Sequence, residues 1–155
     1  MYTANTYGKR SGRFAAIVDL ENLAISDGRR PQAARAEDLL GVVDKYVARM
    51  QVRVATGHKA LDPYMGALVL RPWGVTLVDT TPEAADGALL AAARHFIDSG
   101  VTDLVVVSGD HAFVPLASEA RLHVVSHAPK LSQRLRLAAT TATHLPIPSL
   151  TARAA

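Results

Sequence analysis

The chain has 155 residues, 49% of them hydrophobic, and a formal net charge of +3 with no block of like charge. That supports one domain with a substantial core and leaves too little length for two. Zero cysteines exclude a disulfide framework and a thiolate metal site. No apolar run has the length and freedom from charge of a membrane span, and the basic, polar start lacks the apolar centre of a secretory signal, so a cytoplasmic protein with no membrane partner is expected.

Residues 1–13 carry Lys9, Arg10 and Arg13 among Gly, Ser and Thr and read as a flexible basic arm; the domain should span 14–148, with 149–155 as a tail. Phe14 to Val18 is a continuous apolar run, the signature of a strand buried on both faces, and it ends in D-L-E-N, Asp19 to Asn22. Ala24 to Ala36 contains Asp27-Gly28 and Arg29-Arg30-Pro31 and reads as a loop long enough to act as a flap. Over Glu37 to Met50 the residues Leu39, Leu40, Val43, Val47 and Met50 recur at helical spacing. A second strand, Val52 to Thr56, is followed by His58 and Lys59, and Asp62 to Leu70 has helical character with Pro63 in its first turn.

Val75 to Val78 predicts a third strand, and a helix runs from the Thr80-Thr81-Pro82 turn to about Asp98. Its inward stripe is Leu89, Leu90, Ala93, Phe96 and Ile97, and Asp86, three and four residues ahead of Leu89 and Leu90, heads the same face. Such an acid either complements the helix dipole or points at a site. Leu104 to Val107 predicts a fourth strand, which stops at Gly109 and presents Asp110 where the next helix begins. Asp110 is either the cap of that helix, Phe113 to Glu119, or an aimed carboxylate. A fifth strand, Leu122 to Ser126, precedes a basic amphipathic helix, Lys130 to Ala139, and Leu145-Pro146-Ile147-Pro148 is extended.

Strand and helix alternating along the chain predict a parallel sheet with right-handed crossovers and helices on both faces. Ligands of such sheets bind beyond the carboxyl ends of the strands. Asp19 and Asp110 fall at that edge, and Asp86 begins the helix that leaves it. Three carboxylates this close repel unless neutralised, and a cluster of oxygen donors suits Mg²⁺ or Mn²⁺. A divalent ion there supports hydrolysis of phosphodiesters, with Asn22 placed to supply a neutral oxygen or hold the attacking water.

D-L-E-N at Asp19, A-A-D-G-A-L-L around Asp86 and V-V-V-S-G-D-H-A-F around Asp110 together resemble the NYN domain, a LabA-like branch of the PIN-like nucleases, over about Phe14 to Leu145. The resemblance implies a PIN-like three-layer α/β/α sandwich and metal-dependent cleavage of RNA by Asp19, Asp86 and Asp110 with Asn22 beside them. Two of the motifs depart from the usual pattern. Where the family reads S-G-D-S-D-F, His111 replaces the serine and Ala112 the second acid, and Ala84 and Ala85 stand where K-G-V or similar precedes the helix acid. A catalytically weakened RNA-binding or regulatory domain is therefore the alternative. Arg29, Arg30, Lys59, His111, Arg134 and Arg136 are the candidate RNA contacts, and a homodimer is the other partner considered.

Overall fold

The computed structural model describes residues 12–24 and 33–146. Its centre is a six-stranded, wholly parallel sheet in the order β3-β2-β1-β4-β5-β6. The strands are β1 (Phe14–Asp19), β2 (Gln51–Thr56), β3 (Gly74–Leu77), β4 (Asp103–Val107), β5 (Arg121–His127) and β6 (Thr141–Leu145). The helices are α1 (Leu20–Ala24), α2 (Ala33–Val47), α3 (His58–Leu61), α4 (Met65–Leu68), α5 (Ala84–Asp98) and α6 (Gln133–Ala138). Helices cover both faces, giving the expected three-layer α/β/α sandwich.

Side chains alternate across a strand, so each central strand feeds two cores. Ala16 and Val18 of β1 join Val105 and Val107 of β4 under Leu39, Leu40, Val43 and Val47 of α2. Ala15 and Ile17, with Leu104 and Val106, meet Leu89, Ala93 and Phe96 of α5 on the other face. Because β1 and β4 are apolar on both faces, they read as unbroken hydrophobic runs. Each large side chain fully buried here contributes about 1.5–3 kcal/mol, which holds the middle of the sheet, and the loops after it, in fixed register.

Several elements differ from their predicted form. The helix predicted over Glu37 to Met50 starts earlier, at Ala33, and ends at Val47. The helical segment expected over Asp62 to Leu70 divides into a 3₁₀ turn at Asp62–Tyr64 and α4, and α3 precedes it from His58. The helix predicted over Phe113 to Glu119 is a 3₁₀ helix, His111–Ser118, since Pro115 in its middle has no amide to donate to an α-helical ladder. The basic helix predicted from Lys130 divides into a 3₁₀ turn, Ala128–Lys130, and α6. Thr141–Leu145 forms a sixth strand, unpredicted because T-A-T-H-L is short and only half apolar.

The helix expected to run to about Asp98 ends there as α5. Gly100, at φ 103°, reverses the chain while Val101 N–H bonds Phe96 C=O at 3.0 Å and Gly100 N–H bonds Ile97 C=O at 2.9 Å. A second polar cluster lies at the opposite, amino end of the strands. There the buried Asp103 carboxylate accepts bonds from Arg121 Nε at 2.9 Å and Thr102 Oγ1 at 2.7 Å, and it pairs with His123 Nε2 at 2.8 Å.

Candidate metal centre

The strand order reverses between β1 and β4, and the crevice beyond their carboxyl ends is where open α/β sheets hold ligands. β1 ends in Asp19 and β4 continues into Ser108-Gly109-Asp110, so the two acids face one crevice. Asp86 comes over it from the first turn of α5, whose position is set by Leu89 and Ala93 in the core. One oxygen from each of Asp19, Asp86 and Asp110 lies within 4.8 Å of the others.

Each carboxylate is held differently. Asp19 is only 4% exposed. Its Oδ2 accepts from Ser108 Oγ at 2.9 Å, and its Oδ1 accepts from the Asn22 amide at 3.3 Å. The Ser108 hydroxyl in turn accepts from the Asp110 amide at 3.1 Å, so one serine couples the carboxylate of β1 to the turn after β4. Asp110 takes the capping role that its sequence context offered, and it also lies among the clustered acids. Its Oδ1 caps the 3₁₀ helix by accepting from Ala112 N–H at 2.9 Å, and one of its carboxylate oxygens lies in the cluster with Asp19 and Asp86. Asp86 makes no hydrogen bond with the described residues and is half-buried.

Gly109 permits this turn. A Cβ there would stand 2.2 Å from the Lys130 carbonyl oxygen and 2.6 Å from Ser126 Oγ, so no other residue fits without moving the loop after β5. The Gly109 amide donates to Asn22 Oδ1 at 3.1 Å, and Lys130 Nζ donates to the Asn22 carbonyl. With its side-chain oxygen bonded to Gly109 N–H, Asn22 braces α1 against the turn after β4, so that oxygen is committed to the fold and not presented as a free neutral donor. Glu21 closes the other side, accepting from the Gly57 amide at 3.0 Å.

The electrostatics follow from this crowding. Burial pushes the Asp19 carboxyl up to about 6, reinforced by the charges of Asp86 and Glu21 and only partly offset by the Ser108 and Asn22 bonds. Asp86 is raised too, first by burial and then by the charges of Asp110, Glu83 and Glu21, with His111 acting in the opposite sense. Among the described residues no lysine or arginine forms an ion pair with any of the three, and His111 Nδ1 lies 3.5 Å from Asp110 Oδ1. The cluster thus has hard oxygen donors and crowded negative charge, without a Lys or Arg ion pair to it among the described residues. That donor set fits Mg²⁺ or Mn²⁺.

The remaining predicted contacts are scattered. His111 and Arg134 line one open groove of about 720 Å³ between the 3₁₀ helix and α6, next to the acidic cluster, with Ala112 and Leu137 in its walls. Lys59 is exposed on α3, just past the carboxyl end of β2 and so on the same sheet edge. Arg136, two residues beyond Arg134, is exposed outside that groove. Arg29 and Arg30 lie outside the described residues. Ser108, Gly109 and Lys130 were not singled out as site residues; a serine and a glycine between a buried strand and an aspartate were the available signal.

No protein-family model matches the chain, and no curated protein matches it. Among solved structures it is similar to a protein of unknown function from Vibrio parahaemolyticus, with a TM-score of 0.62 and 14% identity over 91% of this chain and 97% of that one. At that identity the likeness is one of fold, and it extends across nearly the whole sandwich.

Proposed function

We propose that the protein is a metal-dependent endoribonuclease. The observation that carries this reading is the convergence of Asp19, Asp86 and Asp110 within 4.8 Å at the point where the strand order reverses. The resemblance of the three motifs to the NYN domain supplies RNA as the substrate class. Asp19, Asp86 and Asp110 would hold Mg²⁺ or Mn²⁺, which when bound neutralises the cluster, activates water and offsets charge on a phosphoryl oxygen. The chain's own groups do the positioning. Ser108 and the Asn22 amide fix the Asp19 carboxylate, the Ala112 amide fixes that of Asp110, and His111 and Arg134 present cationic or donor groups to an RNA backbone along the adjoining groove. With no cysteine and no helix among the described residues long and apolar enough to cross a membrane, a cytoplasmic RNA target is consistent with this reading.

One observation favours a second reading, an RNA-binding or regulatory domain with weakened catalysis. Ala112 gives the site only a backbone amide where the resembling family carries a further carboxylate. Cleavage assays separate the two. For the nuclease, Asp19→Asn, Asp86→Asn and Asp110→Asn each abolish divalent-dependent cleavage of single-stranded RNA while keeping a folded circular dichroism spectrum; full activity in all three would refute it. A gain of cleavage in Ala112→Asp over an inactive natural chain would support the weakened form.

A further inference from the structure

The large hydrophobic side chains that the fold leaves exposed are concentrated at one edge. Met65, Val69 and Leu70, in and after α4, and Val75 and Leu77, in β3, are all exposed, Val69 and Leu70 by more than three-quarters. Val75 and Leu77 pair in register with Val54 and Thr56, which puts them on the α2 and α4 face of the sheet. β3 is an edge strand, and among the described residues nothing pairs with its outer side.

The backbone of that edge has a definite polarity. Val78 N–H donates to Thr56 C=O at 2.9 Å, so by the two-residue alternation Thr76 also turns its amide and carbonyl towards β2, while Val75 and Leu77 turn theirs outward. Edge strands are normally blunted by lysine, proline or a bulge, yet residues 74–78, G-V-T-L-V, contain no charge and no proline. At the opposite edge, β6 exposes only Ala142 and His144 and is followed at once by Pro146.

From this we infer that β3 is a self-association surface whose partner is a second copy of this chain, joined antiparallel about a two-fold axis through Thr76 into one continuous sheet. Only a self-complementary edge can close in this way, and β3 is one. About that axis Val75 of each copy faces Leu77 of the other as a hydrogen-bonded pair, using the outward amides and carbonyls, and Thr76 faces Thr76. The apolar side chains of both copies fall on one face and extend the patch from α4. Charge agrees with the antiparallel sense. The amino end of β3 carries Arg53, lying over Gly74, while Arg71 beside it is held by Asp44 through two hydrogen bonds; Asp79 and Glu83 follow its carboxyl end. Each basic end therefore meets the acidic end of the other copy. The two carboxylate clusters would face opposite ends of the joined sheet, so the inference does not depend on the ribonuclease reading.

The test uses the full chain, whose lack of cysteine makes Thr76→Cys the sole thiol. Light scattering should give about twice the 16.5 kDa chain mass. Mild oxidation should convert Thr76→Cys to a disulfide-linked dimer, since Cα atoms directly opposite in such a pair are within disulfide reach. Val75→Lys with Leu77→Lys sets like charges opposite each other and should give the single-chain mass and no cross-link. Val75→Lys with Leu77→Glu sets opposite charges across the same pairs and should restore both. Single-chain mass for the natural protein, absence of the cross-link, or equal behaviour of the two double variants would overturn the inference.

Discussion

Replacing Asp19 by Asn should make the metal-free protein more stable at neutral pH. Asp19 is 4% exposed, and its carboxyl sits at about 6 in the fold against an ordinary 3.8, chiefly through burial. A shift of about two units corresponds to about 3 kcal/mol by which ionising Asp19 penalises the folded state. The sign is that of a carboxyl raised by folding. The penalty is complete above the folded value, fades as pH falls through about 6, and is gone below 3.8. Asn keeps an acceptor for the Ser108 hydroxyl but turns an amide group towards the Asn22 N–H, losing about 1 kcal/mol. The net gain is about 2 kcal/mol, or roughly 4–8 °C in melting temperature for a chain of this size. Thermal unfolding in chelator near neutral pH should show that gain, and as pH is lowered towards 3.8 the gap should close and then reverse, leaving the variant about 1 kcal/mol less stable. Added Mn²⁺ should then raise the natural protein well above the variant. An Asp19→Asn protein that melts at or below the natural one in chelator, with no pH dependence of the difference, would refute the crowded-carboxylate picture.

Other predictions bear on the surroundings of the site and on the far end of the sheet. Asp103→Ala leaves the buried His123 ring, Thr102 and Arg121 without their shared acceptor and should cost about 3–5 kcal/mol in chemical denaturation. Burial alone would raise the Asp103 carboxyl, but its bonds to Arg121, His123 and Thr102 outweigh that and hold it well below the usual range. Its contribution is therefore present at neutral pH and is lost as pH falls below the ordinary carboxylate value. His127 is buried with neither ring nitrogen in a well-formed hydrogen bond, and burial and the Lys130 charge keep its pKa low. Its neutral form is the folded one, so the natural protein should lose stability as pH falls through about 6.5, and His127→Leu should lose less over the same range. Gly109→Ala should cost about 1–3 kcal/mol by forcing the Lys130 carbonyl away, and it should abolish any cleavage by displacing Asp110.

The parts legible in the sequence are those whose chemistry is local. β1 and β4 announce themselves as apolar runs because both faces of each are buried, and the acids that follow them stand out against those runs. Asp86 was legible because helical spacing alone puts it in line with Leu89 and Leu90. Other features depend on neighbours far apart in the chain. Ser108 gains its part only when β4 lies beside β1, and Gly109 only when the loop after β5 passes over it. The Asp103, Arg121 and His123 cluster is assembled from two adjacent strands whose pairing no local pattern states. The open edge at β3 was hidden for a related reason, since G-V-T-L reads as a buried strand until its place at the end of the sheet is known.

The most direct measurement is the fate of labelled single-stranded RNA incubated with the purified chain in Mn²⁺, in Mg²⁺ and in chelator, beside Asp110→Asn. Cleavage that requires both a divalent ion and the Asp110 carboxylate is the predicted result. RNA that stays intact with the natural protein under every condition, or is cut equally well in chelator or by Asp110→Asn, would contradict a carboxylate-bound ion as the centre of its chemistry.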